Sequence, residues 1–115
     1  MRLADEKTKL VNAVVLLMAE EARELARSVP LWTLSEKQIE REFKFDNFRQ
    51  AMAFVNRVAD AAEKQDHHPD IFISYDHVRL TLSTHKMGGL SRSDFVLATR
   101  IDALSGNDTS SAAGK

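Results

Sequence analysis

Residues 71–85 decide the fold, and they read Ile-Phe-Ile-Ser-Tyr-Asp-His-Val-Arg-Leu-Thr-Leu-Ser-Thr-His. Alternating apolar and polar side chains predict two strands, at residues 71–75 and 78–82, with a tight turn at Asp76-His77. Strands joined by so short a turn pair as an antiparallel hairpin. The start of the first strand then lies beside the end of the second, near His85.

Helices are predicted on both sides of this hairpin. Apolar residues at helical spacing predict a helix over residues 47–64, with Asp46 as its N-cap. Phe54 lies off the apolar stripe of that helix, and we expect it to mark a subunit contact. The motif Ser91-x-x-Asp94 is typical of a capping box and predicts a last helix that ends near residue 104.

The N-terminal part of the chain adds one helix and two strands. Helical spacing predicts a helix over about residues 5–29, which Pro30 ends. Residues 31–34 and 39–45 are predicted strands, and Arg41 interrupts the apolar face of the second. The order α-β-β-α-β-β-α predicts an α+β fold, a single layer of four-stranded antiparallel sheet with three helices on one face.

Length and composition fit one small globular domain. Of the 115 residues 43% are hydrophobic, and we expect one domain over residues 1–105 and a disordered tail over residues 106–115. The formal net charge of −1 gives no electrostatic case for binding nucleic acid or an anionic membrane. The chain has no cysteine, which excludes disulfides and thiolate metal sites and fits a cytoplasmic location.

Three of the four histidines fall at one end of the predicted hairpin. His67 and His68 precede its first strand and His85 follows its second, so strand pairing brings them together. Glu63 lies one helical turn before His67, and Asp94 opens the next helix, so both carboxylates can reach the same cleft. Histidine changes charge near neutral pH, and a histidine cluster therefore indicates proton transfer, in which one imidazole accepts a proton and another donates one.

Other interpretations of these residues stay open. Three histidines and a carboxylate can bind zinc, although the chain lacks the H-E-x-x-H spacing of a helical zinc site. His67 or His68 can simply complement a helix dipole, and Asp94 can simply cap a helix. We favour metal-free acid/base chemistry, which suits the addition or elimination of water.

Together the motifs resemble those of the pterin-4a-carbinolamine dehydratases. The run Glu63-x-x-x-His67-His68-Pro69, followed by Tyr75, His85 and Asp94, looks like the family signature. The resemblance covers about residues 31–104. It implies loss of water from a 4a-hydroxytetrahydropterin to give quinonoid dihydropterin, which recycles a tetrahydrobiopterin-type cofactor. It implies no metal or organic cofactor, and association into homodimers or homotetramers.

The same resemblance implies a role for each residue of the site. His67 and His85 are the expected acid/base pair, without an assignment of acid and base between them, and His68 is expected to orient the pterin. The expected substrate-binding residues are Glu63, Asp66, Pro69, Ser83, Thr84, Asp94 and Trp32. Some animal members of the family bind a homeodomain transcription factor, so a non-catalytic pterin-binding or dimerisation protein is the alternative.

Overall fold

A computed structural model describes residues 17–84, 86 and 88–113, the last eight of these as backbone only. The described residues form three helices, which are α1 (Ala19–Ala26), α2 (Phe48–Gln65) and α3 (Arg92–Ala113). They also form four strands, which are β1 (Thr33–Leu34), β2 (Ile39–Lys44), β3 (Asp70–Ser74) and β4 (His77–Leu82). The predicted order α-β-β-α-β-β-α and the α+β fold class are confirmed.

The four strands form one antiparallel sheet in the order β1-β2-β4-β3. Phe43 of β2 pairs with Val78 of β4, and Asp70 of β3 pairs with Thr81 of β4. β3 begins beside the last residues of β4. The residues just before β3 and those just after β4 are therefore neighbours. The sheet register thus creates the meeting point that the hairpin pattern predicts.

The core lies between one face of the sheet and the helices. Val78, Leu80 and Leu82 of β4 are fully buried, whereas the residues between them are partly exposed. Helix α2 buries a stripe of residues, which are Ala51, Phe54, Val55, Val58 and Ala62. No helix among the described residues is long and apolar enough to cross a membrane.

Phe54 belongs to this core. Its ring is fully buried and lies 4.8 Å from the ring of Phe43 and 5.0 Å from that of Phe45, between ring centroids. The expectation of a subunit contact at Phe54 is therefore wrong. The buried face of a helix that packs on a sheet is wider than a single stripe, and a long aromatic side chain reaches across it.

A part-buried network joins α3 to the sheet and explains why Arg41 interrupts the apolar face of β2. The Arg41 guanidinium lies 4.3 Å above the Phe43 ring and 2.6 Å from Oδ1 of Asp102. The Trp32 indole N–H donates to the same oxygen at 2.7 Å, and the Trp32 residue is only 4% exposed. Its ring is enclosed and its only donor is used inside the fold, which argues against the predicted contact of Trp32 with substrate.

Helix ends differ from their predicted positions. Helix α1 ends at Ala26, three residues earlier than predicted. After it, the N–H groups of residues 27–29 bond to carbonyls three residues back, so the chain tightens into turns before Pro30. The N-cap of α2 is Asn47, not Asp46, and its side chain accepts from the backbone N–H of Gln50 at 2.9 Å. Helix α3 continues to Ala113, beyond its predicted end near residue 104.

The hairpin turn lies one residue earlier than predicted. Tyr75 has a φ of 53° and forms the turn with Asp76, whereas His77 is the first residue of β4. Tyr75 is 64% exposed and lies at the end of β3 that is remote from His67. Tyr75 therefore shapes the turn, and it is not part of the histidine cluster.

Candidate active site

The end of α2 directs the histidines. Asp66 has a left-handed backbone with a φ of 54°; its N–H bonds to the Glu63 carbonyl, and the N–H of His67 bonds to the Ala62 carbonyl. This pair of bonds is the Schellman motif, in which glycine usually occupies the left-handed position. The chain reverses its course at Asp66, so that His67 and His68 lead directly into β3.

His67 forms the central contact of the site. Its Nε2 atom lies 2.5 Å from Oδ1 of Asp94, in the first turn of α3. The His67 side chain is 14% exposed and that of Asp94 is fully buried. The Gln65 side-chain amide donates to the Ser93 carbonyl at 2.9 Å, which ties the end of α2 to the start of α3 beside this pair.

Asp94 is surrounded by donors. Its Oδ2 atom accepts from the Thr84 hydroxyl and from the Ser91 backbone N–H, each at 2.9 Å, while Oδ1 faces His67. Each contact suits an ionised carboxylate, which accepts hydrogen bonds and donates none. A buried carboxylate needs such partners because it has lost its water.

This arrangement fixes the tautomer of His67. An ionised Asp94 requires that Nε2 of His67 carries the proton of their hydrogen bond. The neutral ring then presents the lone pair of Nδ1 to a ligand. A carboxylate that orients an imidazole in this way is a common component of sites that transfer protons.

A short loop brings Thr84 and Ser91 together. The backbone N–H of Thr84 bonds to the Gly89 carbonyl at 2.7 Å, and Gly88 adopts a φ of 70°, which favours glycine. The hydroxyls of Thr84 and Ser91 are 2.6 Å apart. His85, the predicted partner of His67 in catalysis, lies outside the described residues.

His68 and Glu63 form a second, exposed pair. Nε2 of His68 lies 2.7 Å from Oε2 of Glu63, and the two side chains are 55% and 75% exposed. A contact this open to water adds little stability. The pair therefore lies at the surface, available to a ligand, whereas the contact between His67 and Asp94 is enclosed.

The other predicted site residues lie around this end of the sheet. Pro69 is half-buried and immediately precedes β3, and Asp66 is exposed on the turn. Ser83 is half-buried between β4 and the loop, next to the buried Thr84. Only Trp32 belongs to a different cluster among the predicted site residues that the structure describes.

Sequence reasoning missed two features here. The contact of Ser91 with Thr84 has no local signature, because the Ser91-x-x-Asp94 motif predicts only a helix cap. Asp102 was also missed, although a cation on the apolar face of a strand, as at Arg41, indicates a buried acidic partner. In residues 17–84, 86 and 88–105, no three His, Asp or Glu side chains are grouped as metal ligands.

Comparison with known protein families identifies the family of this chain. The model of the pterin 4 alpha carbinolamine dehydratase family matches residues 15–104. The chain belongs to the pterin-4a-carbinolamine dehydratase family. The suspected resemblance is confirmed, and the match includes every residue of the candidate site.

Bacterial members of the family are close in sequence. A protein of Rubrobacter xylanophilus is 47% identical over 89 residues, which are 76% of this chain and 83% of that protein. A protein of Nitrosomonas eutropha is 42% identical over 104 residues, which are 89% of this chain and 92% of that protein. Both carry the provisional name pterin-4-alpha-carbinolamine dehydratase.

Solved structures of relatives share the fold. A transcriptional coactivator/pterin dehydratase from Brucella melitensis superposes with a TM-score of 0.74 and 35% identity, over 77% of this chain and 97% of that one. A pterin dehydratase-like protein identified as a RuBisCO assembly factor in the alpha-carboxysome superposes with a TM-score of 0.54 and 26% identity, over 65% of this chain and 87% of that one. One of these relatives is thus described as a coactivator and dehydratase, and the other as an assembly factor.

Proposed function

We propose that the protein is a 4a-hydroxytetrahydrobiopterin dehydratase, a carbon–oxygen lyase that recycles a tetrahydrobiopterin-type cofactor. The observation that carries the proposal is the contact of His67 with the buried Asp94. A buried carboxylate that holds an imidazole is typical of sites where a proton is transferred, whereas binding a partner does not require one. Family membership supplies the substrate class.

The reaction needs one proton donor and one proton acceptor. The bond between C4a and the hydroxyl oxygen breaks as a donor protonates that oxygen, which leaves as water. An acceptor takes the N5 proton as the double bond between N5 and C4a forms. Nδ1 of His67 is the proposed acceptor, because Asp94 stabilises the imidazolium that results.

The remaining roles follow from chemistry and family membership. His85 is then the proposed proton donor, because the family resemblance pairs it with His67 and His67 is the proposed acceptor. His68, with Glu63 on its Nε2 atom, is proposed to hold the polar edge of the pterin at the mouth of the site. The reaction as proposed requires no metal or organic cofactor. Assembly into homodimers or homotetramers and a cytoplasmic location are further proposals.

One assay tests the proposal. Freshly generated 4a-hydroxytetrahydropterin is mixed with the protein, and its dehydration is followed by ultraviolet absorbance before and after exhaustive EDTA treatment. Turnover well above the spontaneous rate, unchanged by EDTA, supports metal-free dehydration. No acceleration by the folded protein refutes it, and a loss of activity with EDTA that zinc restores would move the site to metal chemistry.

A binding protein is the second candidate. It is favoured by the structural relative identified as a RuBisCO assembly factor, which has the same fold. A pure binding protein needs the surface of the fold but not the His67–Asp94 pair. Absence of turnover in the assay, together with normal folding, would favour this candidate.

A further inference from the structure

Two buried hydroxyls lie behind the candidate catalytic pair. Thr84 is 8% exposed and Ser91 is 1% exposed, and their oxygens are 2.6 Å apart. The Thr84 hydroxyl also lies 2.9 Å from Oδ2 of Asp94. Thr84 is therefore enclosed and already committed to protein partners, although the family resemblance places it against the substrate.

The hydrogen bonds of this network can be donated in only one direction. An ionised Asp94 accepts only, so the single proton of the Thr84 hydroxyl points to Oδ2. The contact between the two hydroxyls must then use the proton of Ser91, with Thr84 as acceptor. The chain of donors runs from Ser91 through Thr84 to Asp94, and hydrogen bonds in such a chain strengthen one another.

The Ser91 hydroxyl does not cap helix α3. As the residue before α3 it should cap the helix by accepting from the N–H of Asp94. That N–H instead bonds to the Ser91 carbonyl at 3.1 Å, and the hydroxyl faces Thr84. Of the two hydrogen bonds of a capping box, only the one from the Ser91 N–H to the Asp94 carboxylate forms. The hydroxyl thus serves the tertiary network.

The consequence is a fixed carboxylate. With Oδ2 occupied by the Ser91 N–H and the Thr84 hydroxyl, Asp94 cannot rotate without breaking both bonds, and Oδ1 stays directed at His67. We propose that Thr84 and Ser91 are positioning residues that hold Asp94 and, through it, the tautomer and orientation of the His67 ring. The reaction they serve rests on the proposed function, whereas their effect on His67 exists without substrate.

Four variants separate this role from substrate binding. Thr84→Val removes the hydroxyl but keeps the shape, Thr84→Ser keeps the hydroxyl, and Ser91→Ala removes the far end of the chain. Thr81→Val is the matched control, since the Thr81 hydroxyl bonds to Glu40 on β2 at 3.3 Å, outside the site. Circular dichroism and thermal melting establish which variants fold.

The first readout is the imidazole ¹⁵N NMR spectrum of His67 without substrate. We expect the Nε2–H tautomer in the wild type, Thr84→Ser and Thr81→Val, and a mixture of tautomers in Thr84→Val. A wild-type spectrum in folded Thr84→Val overturns the proposal. Should Thr84→Val not fold, Ser91→Ala decides, because a smaller shift toward the mixture is expected there and an unchanged spectrum overturns the proposal.

The second readout is the split between kcat and KM. Losing one hydrogen bond to the charged carboxylate should lower kcat about tenfold in Thr84→Val, with KM unchanged and with recovery in Thr84→Ser. The double variant with Ser91→Ala should be no slower than Thr84→Val, because Ser91 acts through Thr84. A raised KM at unchanged kcat would make Thr84 a substrate contact. A wild type without activity refutes the proposed function, and the NMR result still decides the positioning role.

Discussion

Nε2 of His67 lies 2.5 Å from Oδ1 of Asp94, although 27 residues separate them in the chain. One residue follows the left-handed turn that ends α2, and the other lies in the first turn of α3. The two are brought together by the register of β3 on β4 and by the link from Gln65 to Ser93. The chemistry of the site therefore depends on how two helix ends meet at one edge of the sheet.

Asp94→Asn tests the charge at the centre of the site. Three donors converge on the Asp94 carboxylate, but an asparagine side chain has only one acceptor oxygen. Its NH₂ group would face another donor, either His67 or Thr84. We expect kcat to fall on the order of 10²–10⁴-fold and stability to fall by about 1–3 kcal/mol, measured by steady-state kinetics and urea unfolding. Asp60→Asn, exposed on α2, is the control. Full activity in Asp94→Asn would contradict the proposed role of Asp94.

Asp66→Gly separates folding from binding at the turn. Glycine adopts the left-handed conformation of residue 66 without the strain that an aspartate bears there. We expect the free energy of unfolding to rise by on the order of 1 kcal/mol, after the larger entropy of the unfolded glycine chain is subtracted. If the Asp66 carboxylate contacts the pterin, KM rises while the melting temperature also rises. A lower melting temperature would mean that the aspartate stabilises the turn in another way.

Trp32→Phe tests whether Trp32 serves the fold or the substrate site. Phenylalanine cannot donate to Asp102, so a part-buried hydrogen bond to a charged group is lost, while Arg41 keeps its own bond to Asp102. The free energy of unfolding should fall by about 1.5–3 kcal/mol, with KM unchanged in the folded variant. A raised KM without loss of stability would return Trp32 to the substrate site.

Asp76 makes stability depend on pH at the end of the sheet away from the site. The hydrogen bond from Lys44 lowers the pKa of Asp76 below 3.8, with a smaller contribution from His77, against an opposing effect of desolvation. A lowered pKa in the folded state gives stability above pH 3.8 that is lost as pH falls through the folded-state pKa. Asp76→Asn should therefore be less stable than the wild type at pH 7 and equally stable in strong acid. An equal difference in thermal melts at both pH values would contradict this.

The sheet and the place of the site could be predicted because both depend on short-range patterns. Alternation in residues 71–82 fixes a hairpin, and a hairpin necessarily brings its two open ends together. His67 could thus be placed near Asp94 from the sequence alone. The turn was displaced by one residue because Tyr75 adopts a positive φ that its residue type does not suggest.

Partners distant in the chain could not be predicted. Nothing near Trp32 indicates that its indole bonds to Asp102, 70 residues away. Phe54 lies off the apolar stripe predicted from the sequence, although the structure buries it. The sequence motif around Ser91 predicts that its hydroxyl caps a helix. Only the packing of the folded chain shows that the hydroxyl contacts Thr84 instead. Such choices depend on which side chains are enclosed together.

The most direct test compares His67→Ala with His77→Ala in the ultraviolet dehydration assay. His77 is an exposed histidine on the remote end of β4, so the pair differs in the site and not in the residue type. We expect His77→Ala to match the wild type and His67→Ala to lose on the order of 10²–10⁴-fold in rate, because a proton-transfer group is removed. Wild-type turnover in a folded His67→Ala protein would contradict the proposal that the His67–Asp94 pair carries the reaction.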